Sequence, residues 1–97
     1  MLVVVHGYAA GKDAYLKRLK LIEGQVRGIA RMVDDDAYCV DVLTQIAAVT
    51  RALQAVGIGL VEDHLGHCVV AAAQRDPAEG AAKVHEAADA IARLVRC

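Results

Sequence analysis

The sequence holds no Trp, no Phe and a single Pro, and aromatic residues make up only 3% of it. With Ala, Val, Leu and Ile supplying nearly all of a 57% hydrophobic content, a β-sandwich or barrel is disfavoured and a helical bundle is expected. No stretch resembles a secretory leader, because "MLVVV" gives way to His6-Gly7-Tyr8 after five apolar residues. No run approaches the ~18 apolar residues of a membrane span, so no membrane role is expected. The three cysteines are an odd number in a chain of this kind. They point to a reducing cytoplasm, where such residues bind metals or react before they form disulfides. A net charge of −1 gives no whole-chain case for nucleic acid. Between Lys12 and Arg31, however, six basic residues (Lys12, Lys17, Arg18, Lys20, Arg27, Arg31) face two acidic ones, Asp13 and Glu23. A stripe of that kind can meet phosphates on an otherwise neutral molecule, although a solvated helix face reads the same way.

Ninety-seven residues make one small domain with a modest core, so self-association is expected. Residues 1–11 show no sustained period and are expected to form a flexible arm ahead of a single domain over 12–97. Leu16, Leu19, Ile22, Val26, Ile29 and Val33 recur at spacings of three and four, which is an amphipathic helix with a cationic outer face. Asp34-Asp35-Asp36 breaks that pattern and is expected to cap the next helix. Val40, Leu43, Ile46, Leu53, Val56, Leu60, Leu65 and Val69 keep helical spacing for about thirty residues. Gly57 and Gly59 weaken this helix by ~1 kcal/mol each and could kink it. Asp76, Pro77 and Glu79 form a helix start signal, and Val84, Ala87 or Ala88, Ile91, Leu94 and Val95 define a third helix.

The segment "VEDHLGHC" places His64 and Cys68 four apart on one helical face. Two ligands hold a metal poorly, and Cys39 is the other well-placed cysteine. It precedes His64 by 25 positions (64 − 39), or ~37 Å along a straight helix, so one helix cannot close the site. Twenty-five steps of ~100° nevertheless return Cys39 and His64 to nearly the same face. If two long helices pack antiparallel, Cys39 of one chain meets His64 and Cys68 of the other, giving two equivalent sites across a two-fold axis. Two thiolates and an imidazole suit Cu(I) best; zinc takes similar ligands but usually needs a fourth. A lone Cys on an apolar face is ordinarily core packing, a reading that explains Cys39 alone better than it explains three aligned residues. His67 faces about 100° away from Cys68. Cys97 is terminal, and neither His6 nor His85 carries a comparable constellation.

The blocks "YLKRLKLIEGQVRGIARMVDDDAYCVDVLTQIAAV" and "HLGHC" resemble the CsoR/RcnR family of metal-sensing transcriptional repressors, and within it the copper-sensing branch. The likeness runs from about His6 to the C-terminus. It implies an all-α protein of three helices per protomer, forming an antiparallel four-helix-bundle dimer or a dimer of dimers. It also implies that the metal-free form binds operator DNA and that Cu(I) lowers that affinity. The implied ligands are Cys39, His64 and Cys68, in agreement with the spacing. Tyr38 and Glu86 are implied as outer partners that would orient a ligating imidazole. Lys17, Arg18, Arg27, Arg31 and Arg51 are the implied DNA contacts, although some relatives carry a further basic residue where this chain has Ala55.

Other sensors of the same family remain open on the residues alone. A nickel or cobalt sensor would use more imidazole, against which Cys68 argues. A persulfide sensor would cross-link Cys39 and Cys68 without His64, and a formaldehyde-responsive relative would depend on Cys39. From another class, a cytoplasmic copper buffer would bind Cu(I) without any DNA. No Ser-His-Asp set, phosphate loop or paired carboxylates suggest an enzyme.

Overall fold

The computed structural model describes residues 8–96, and no β-strand occurs among them. A 3₁₀ turn, Ala9–Gly11, leads into α1, Lys12–Asp34. Helix α2 runs from Cys39 to Arg75, and α3 spans Pro77–Arg96. Part of the expected arm is thus helical, while His6 and Cys97 lie outside the described residues.

The acidic run ends α1 instead of capping α2. Asp36 has φ 57°, the left-handed conformation that Asp tolerates better than most residues. The Ala37 N–H donates to the Met32 carbonyl (2.9 Å) and the Asp36 N–H to that of Val33 (3.2 Å), which is the Schellman arrangement. Helix α2 starts on a backbone cap, the Tyr38 carbonyl accepting from the Asp41 and Val42 N–H groups.

Helix α2 passes Gly57 and Gly59 without interruption. Its departure from α geometry comes later, in a π-helical stretch, His64–Val69, flanked by α segments Cys39–Asp63 and Val70–Arg75. Although it lacks a continuous apolar run, α2 is long and apolar enough by length and composition to cross a membrane, with mean hydropathy 1.3. From Val42 to Val61 its one charged residue is Arg51, and scattered Thr, Gln and Gly lower the average only slightly.

The chain divides into two compact units, Asp13–Val56 and the part from Gly57 onward together with the residues before Asp13. In the first, Ile22 of α1 packs with Val49 and Val56 of α2, flanked by Tyr15, Ile29 and Ala52. In the second, Ala72 of α2 and Ala87 of α3 are buried. Gly57 faces Leu94 and Ala73 faces Gly80, so α3 runs back along α2. Asp76 makes that reversal in one extended residue (φ −159°, ψ 126°). Its carboxylate accepts from the Ala78 N–H at 3.1 Å, the expected N-cap. Glu79 pairs with Arg75 instead of reaching back to the cap.

Candidate metal centre and nucleic-acid interface

His64 and Cys68 both lie in the π-helical stretch, half-buried, the cysteine as a free thiol. His64 Nε2 stands 3.4 Å from the backbone carbonyl oxygen of Lys83 on α3. A carbonyl only accepts, so this contact is a hydrogen bond in the tautomer that carries its proton on Nε2, the form that leaves the Nδ1 lone pair for a ligand. Cys39 is an exposed free thiol in the first turn of α2. Beside it, Tyr38 is exposed and uses its carbonyl, as described, to start the helix. Among the described residues, no three His, Cys, Asp or Glu side chains of one chain come together as a metal-binding group. Cys39 belongs to the unit Asp13–Val56, and His64 and Cys68 to the unit from Gly57 onward.

An open cleft of about 430 Å³ borders His64, lined also by Leu60, Val61, Glu86, Asp89, Ala90 and Arg93. Glu86 therefore shares the surroundings of His64, but its carboxylate accepts from Lys83 Nζ at 3.1 Å. The imidazole's partner in this structure is the Lys83 carbonyl. Sequence reasoning missed that contact because a main-chain acceptor carries no residue signature. Asp89 and Arg93 were missed for a different reason, since helical spacing alone does not show which turn of α3 reaches His64. His85 lies 3.9 Å from Asp89 on an exposed face, and His67 is exposed on the π-helical stretch.

The expected nucleic-acid contacts Lys17, Arg18, Arg27, Arg31 and Arg51 are all exposed and all belong to the unit Asp13–Val56. Arg27 donates to Glu23 at 2.6 Å, one turn earlier on α1. An exposed pair of this kind contributes only ~0.3–0.5 kcal/mol, so Arg27 can exchange Glu23 for another anion at small cost.

A sequence profile of the metal-sensitive transcriptional repressor family matches residues 11–93. The chain belongs to this family. Among relatives, the copper-sensing transcriptional repressor RicR of Mycobacterium tuberculosis is 54% identical over 95 residues, which covers 98% of this chain and 99% of that protein. The copper-sensing transcriptional repressor CsoR of Bacillus subtilis is 50% identical over 76 residues, covering 78% of this chain and 75% of that one. The crystal structure of the copper-sensing repressor CsoR with Cu(I) from Geobacillus thermodenitrificans NG80-2 superposes with a TM-score of 0.79 at 40% identity. It covers 98% of this chain and 94% of that one.

Proposed function

We propose that this chain is a Cu(I)-responsive transcriptional repressor of the cytoplasm, holding operator DNA when metal-free and releasing it when Cu(I) binds. The observation that carries the reading is the position of the donors on α2. At ~100° per residue, the sequence spacing of Cys39, Leu43, Ile46, Leu53, Leu60 and His64 is that of one helical face. The four apolar members are exposed in the lone chain, as are Leu16, Leu19, Val26 and Val33 of α1. Burying each such side chain contributes up to ~1.5–3 kcal/mol, and a second copy packed antiparallel covers the stripe in a four-helix bundle. That packing sets Cys39 of one protomer beside His64 and Cys68 of its partner.

Both thiols are free, and an imidazole that donates from Nε2 to the Lys83 carbonyl keeps Nδ1 for a ligand, a donor set that fits a soft, low-coordinate ion. Cu(I), when bound, supplies the centre that ties two thiolates and one imidazole together across two chains. The residues of the chain do the rest. His64 is tethered to α3 through Lys83, and Glu86 and Tyr38 stand as further orienting groups. A pull on His64 is thereby transmitted to α3. If DNA and metal favour different arrangements of the assembled protein, each weakens the other by the same factor.

The test is a mobility-shift assay on the promoter upstream of the chain's own gene, with and without Cu(I). Wild type is expected to release the fragment on copper addition, while Cys39→Ala stays bound. Equal release by both proteins removes Cys39 from the mechanism. Binding of Cu(I) with no shift of any promoter fragment reduces the protein to a copper buffer.

A further inference from the structure

Lys83 bears on His64 with both its main chain and its side chain. Its carbonyl oxygen lies 3.4 Å from His64 Nε2, longer than the ~2.9–3.0 Å of an ordinary N–H···O bond. As a carbonyl inside α3 it also serves that helix's own bonding. Its ammonium meanwhile donates to a carboxylate oxygen of Glu86 at 3.1 Å, one turn further along α3. Glu86 lines the cleft that borders His64. Carboxylates and carbonyls both take the second N–H of a metal-ligating histidine, and the charged acceptor makes the stronger bond, by roughly a factor of two. The acceptor that His64 has is thus the weaker kind, and the stronger kind nearby is tied to the same residue. Asp89, the cleft's other carboxylate, starts about 9 Å along α3 from Lys83, against about 4.5 Å for Glu86, and its side chain is a methylene shorter.

We propose that Lys83 is a positioning residue for metal uptake: in the metal-free protein its ammonium keeps Glu86 off His64, and its carbonyl takes the imidazole N–H instead. An imidazole that gives its Nδ1 lone pair to a cation becomes a stronger Nε2–H donor, which favours the carboxylate over the carbonyl. Glu86 then exchanges the Lys83 ammonium for His64. The exchange costs little, because the two side chains of the ion pair are 42% and 61% exposed and water replaces what the ammonium loses. It moves the tie between α2 and α3 from main chain to side chain and leaves Lys83 Nζ unpaired where the metal-free form has an ion pair. This role rests on the Cu(I)-repressor reading and adds to it a residue that tunes how readily the metal is taken up.

Two measurements on the full chain test it. Lys83→Met removes the charge, keeps the carbonyl and puts an equally good helix former in its place. In metal-free protein, nitrogen NMR of the histidine rings is expected to show the His64 Nε2 resonance shifted in Lys83→Met, as Glu86 replaces the carbonyl, and unshifted in Lys83→Arg. In competition against a Cu(I) chelator, Lys83→Met should bind Cu(I) about twofold more tightly, the scale of an exposed ion pair, and Glu86→Gln about tenfold more weakly. Lys83→Met made in the Glu86→Gln background should then change nothing. An equal gain in both backgrounds overturns the proposal and reduces Lys83 to a nearby charge. An unmoved His64 resonance in Lys83→Met also overturns it, because Glu86 then does not reach the imidazole. Either result leaves Cu(I) uptake and operator release by wild type intact, whereas a wild type that takes up no Cu(I) overturns the repressor reading itself.

Discussion

Two glycines show how one atom's surroundings set the sign of a substitution. A Cβ on Gly80 would lie 2.7 Å from the Ala73 Cβ and 2.9 Å from its Cα, so α2 and α3 must separate to admit it. Gly80→Ala is expected to lower stability by about 1–3 kcal/mol, measured by urea unfolding. On Gly57 the nearest atoms are the Leu94 methyls at 3.0 and 3.1 Å, the far end of a flexible side chain. There the gain of ~1 kcal/mol in helix propensity offsets the repacking, and Gly57→Ala should unfold close to wild type. Asp76→Ala removes an acceptor from the Ala78 N–H and should cost about 1 kcal/mol in the same assay. The Asp76 cap was legible in the sequence because it is written in adjacent residues, Asp-Pro followed by an apolar period. The tight crossing at Gly80 was not, since it depends on how closely Ala73 approaches from the preceding helix.

At the level of elements, the three helices follow from spacing, and their ends follow from local chemistry that sequence reads unevenly. Three aspartates between two helices serve equally as the end of one or the start of the other. The left-handed Asp36 and its Schellman bonds give them to α1. Asp36→Gly separates the alternatives. Glycine adopts φ 57° without a side-chain penalty, so stability should rise by about 1 kcal/mol, whereas removal of a cap on α2 would lower it. Equilibrium unfolding decides between these signs. The π-helical stretch His64–Val69 left no mark in "HLGHCV", because i→i+5 bonding has no side-chain signature. Such stretches occur often at functional sites, and this one carries both His64 and Cys68. The sequence offers His64 and Cys68 as candidates by residue type and spacing, while the backbone that carries them and the contact of His64 with the Lys83 carbonyl were not legible in it.

In the molecule as a whole, the described part of a lone chain buries few apolar side chains: Ile22, Val49, Val56, Ala72 and Ala87. None of them is large and fully enclosed. The stripe through Leu43, Ile46 and Leu53 instead faces outward, and the proposed donors Cys39 and His64 continue its spacing in the sequence. A site assembled across two chains makes a demand that no single-chain site makes. A protomer bearing Cys39→Ala still offers His64 and Cys68, and one bearing Cys68→Ala still offers Cys39. Neither homodimer holds a complete donor set. When the two variants are unfolded together and refolded as a mixture, each heterodimer regains one intact site and keeps one doubly broken one. Competition against a Cu(I) chelator should show no tight binding in either variant alone. Purified heterodimer should bind one tight equivalent, against two for the wild-type dimer. A heterodimer as weak as its parents would mean that Cys39, His64 and Cys68 meet within one chain or do not meet at all, and the antiparallel pairing of α2 would have to be abandoned.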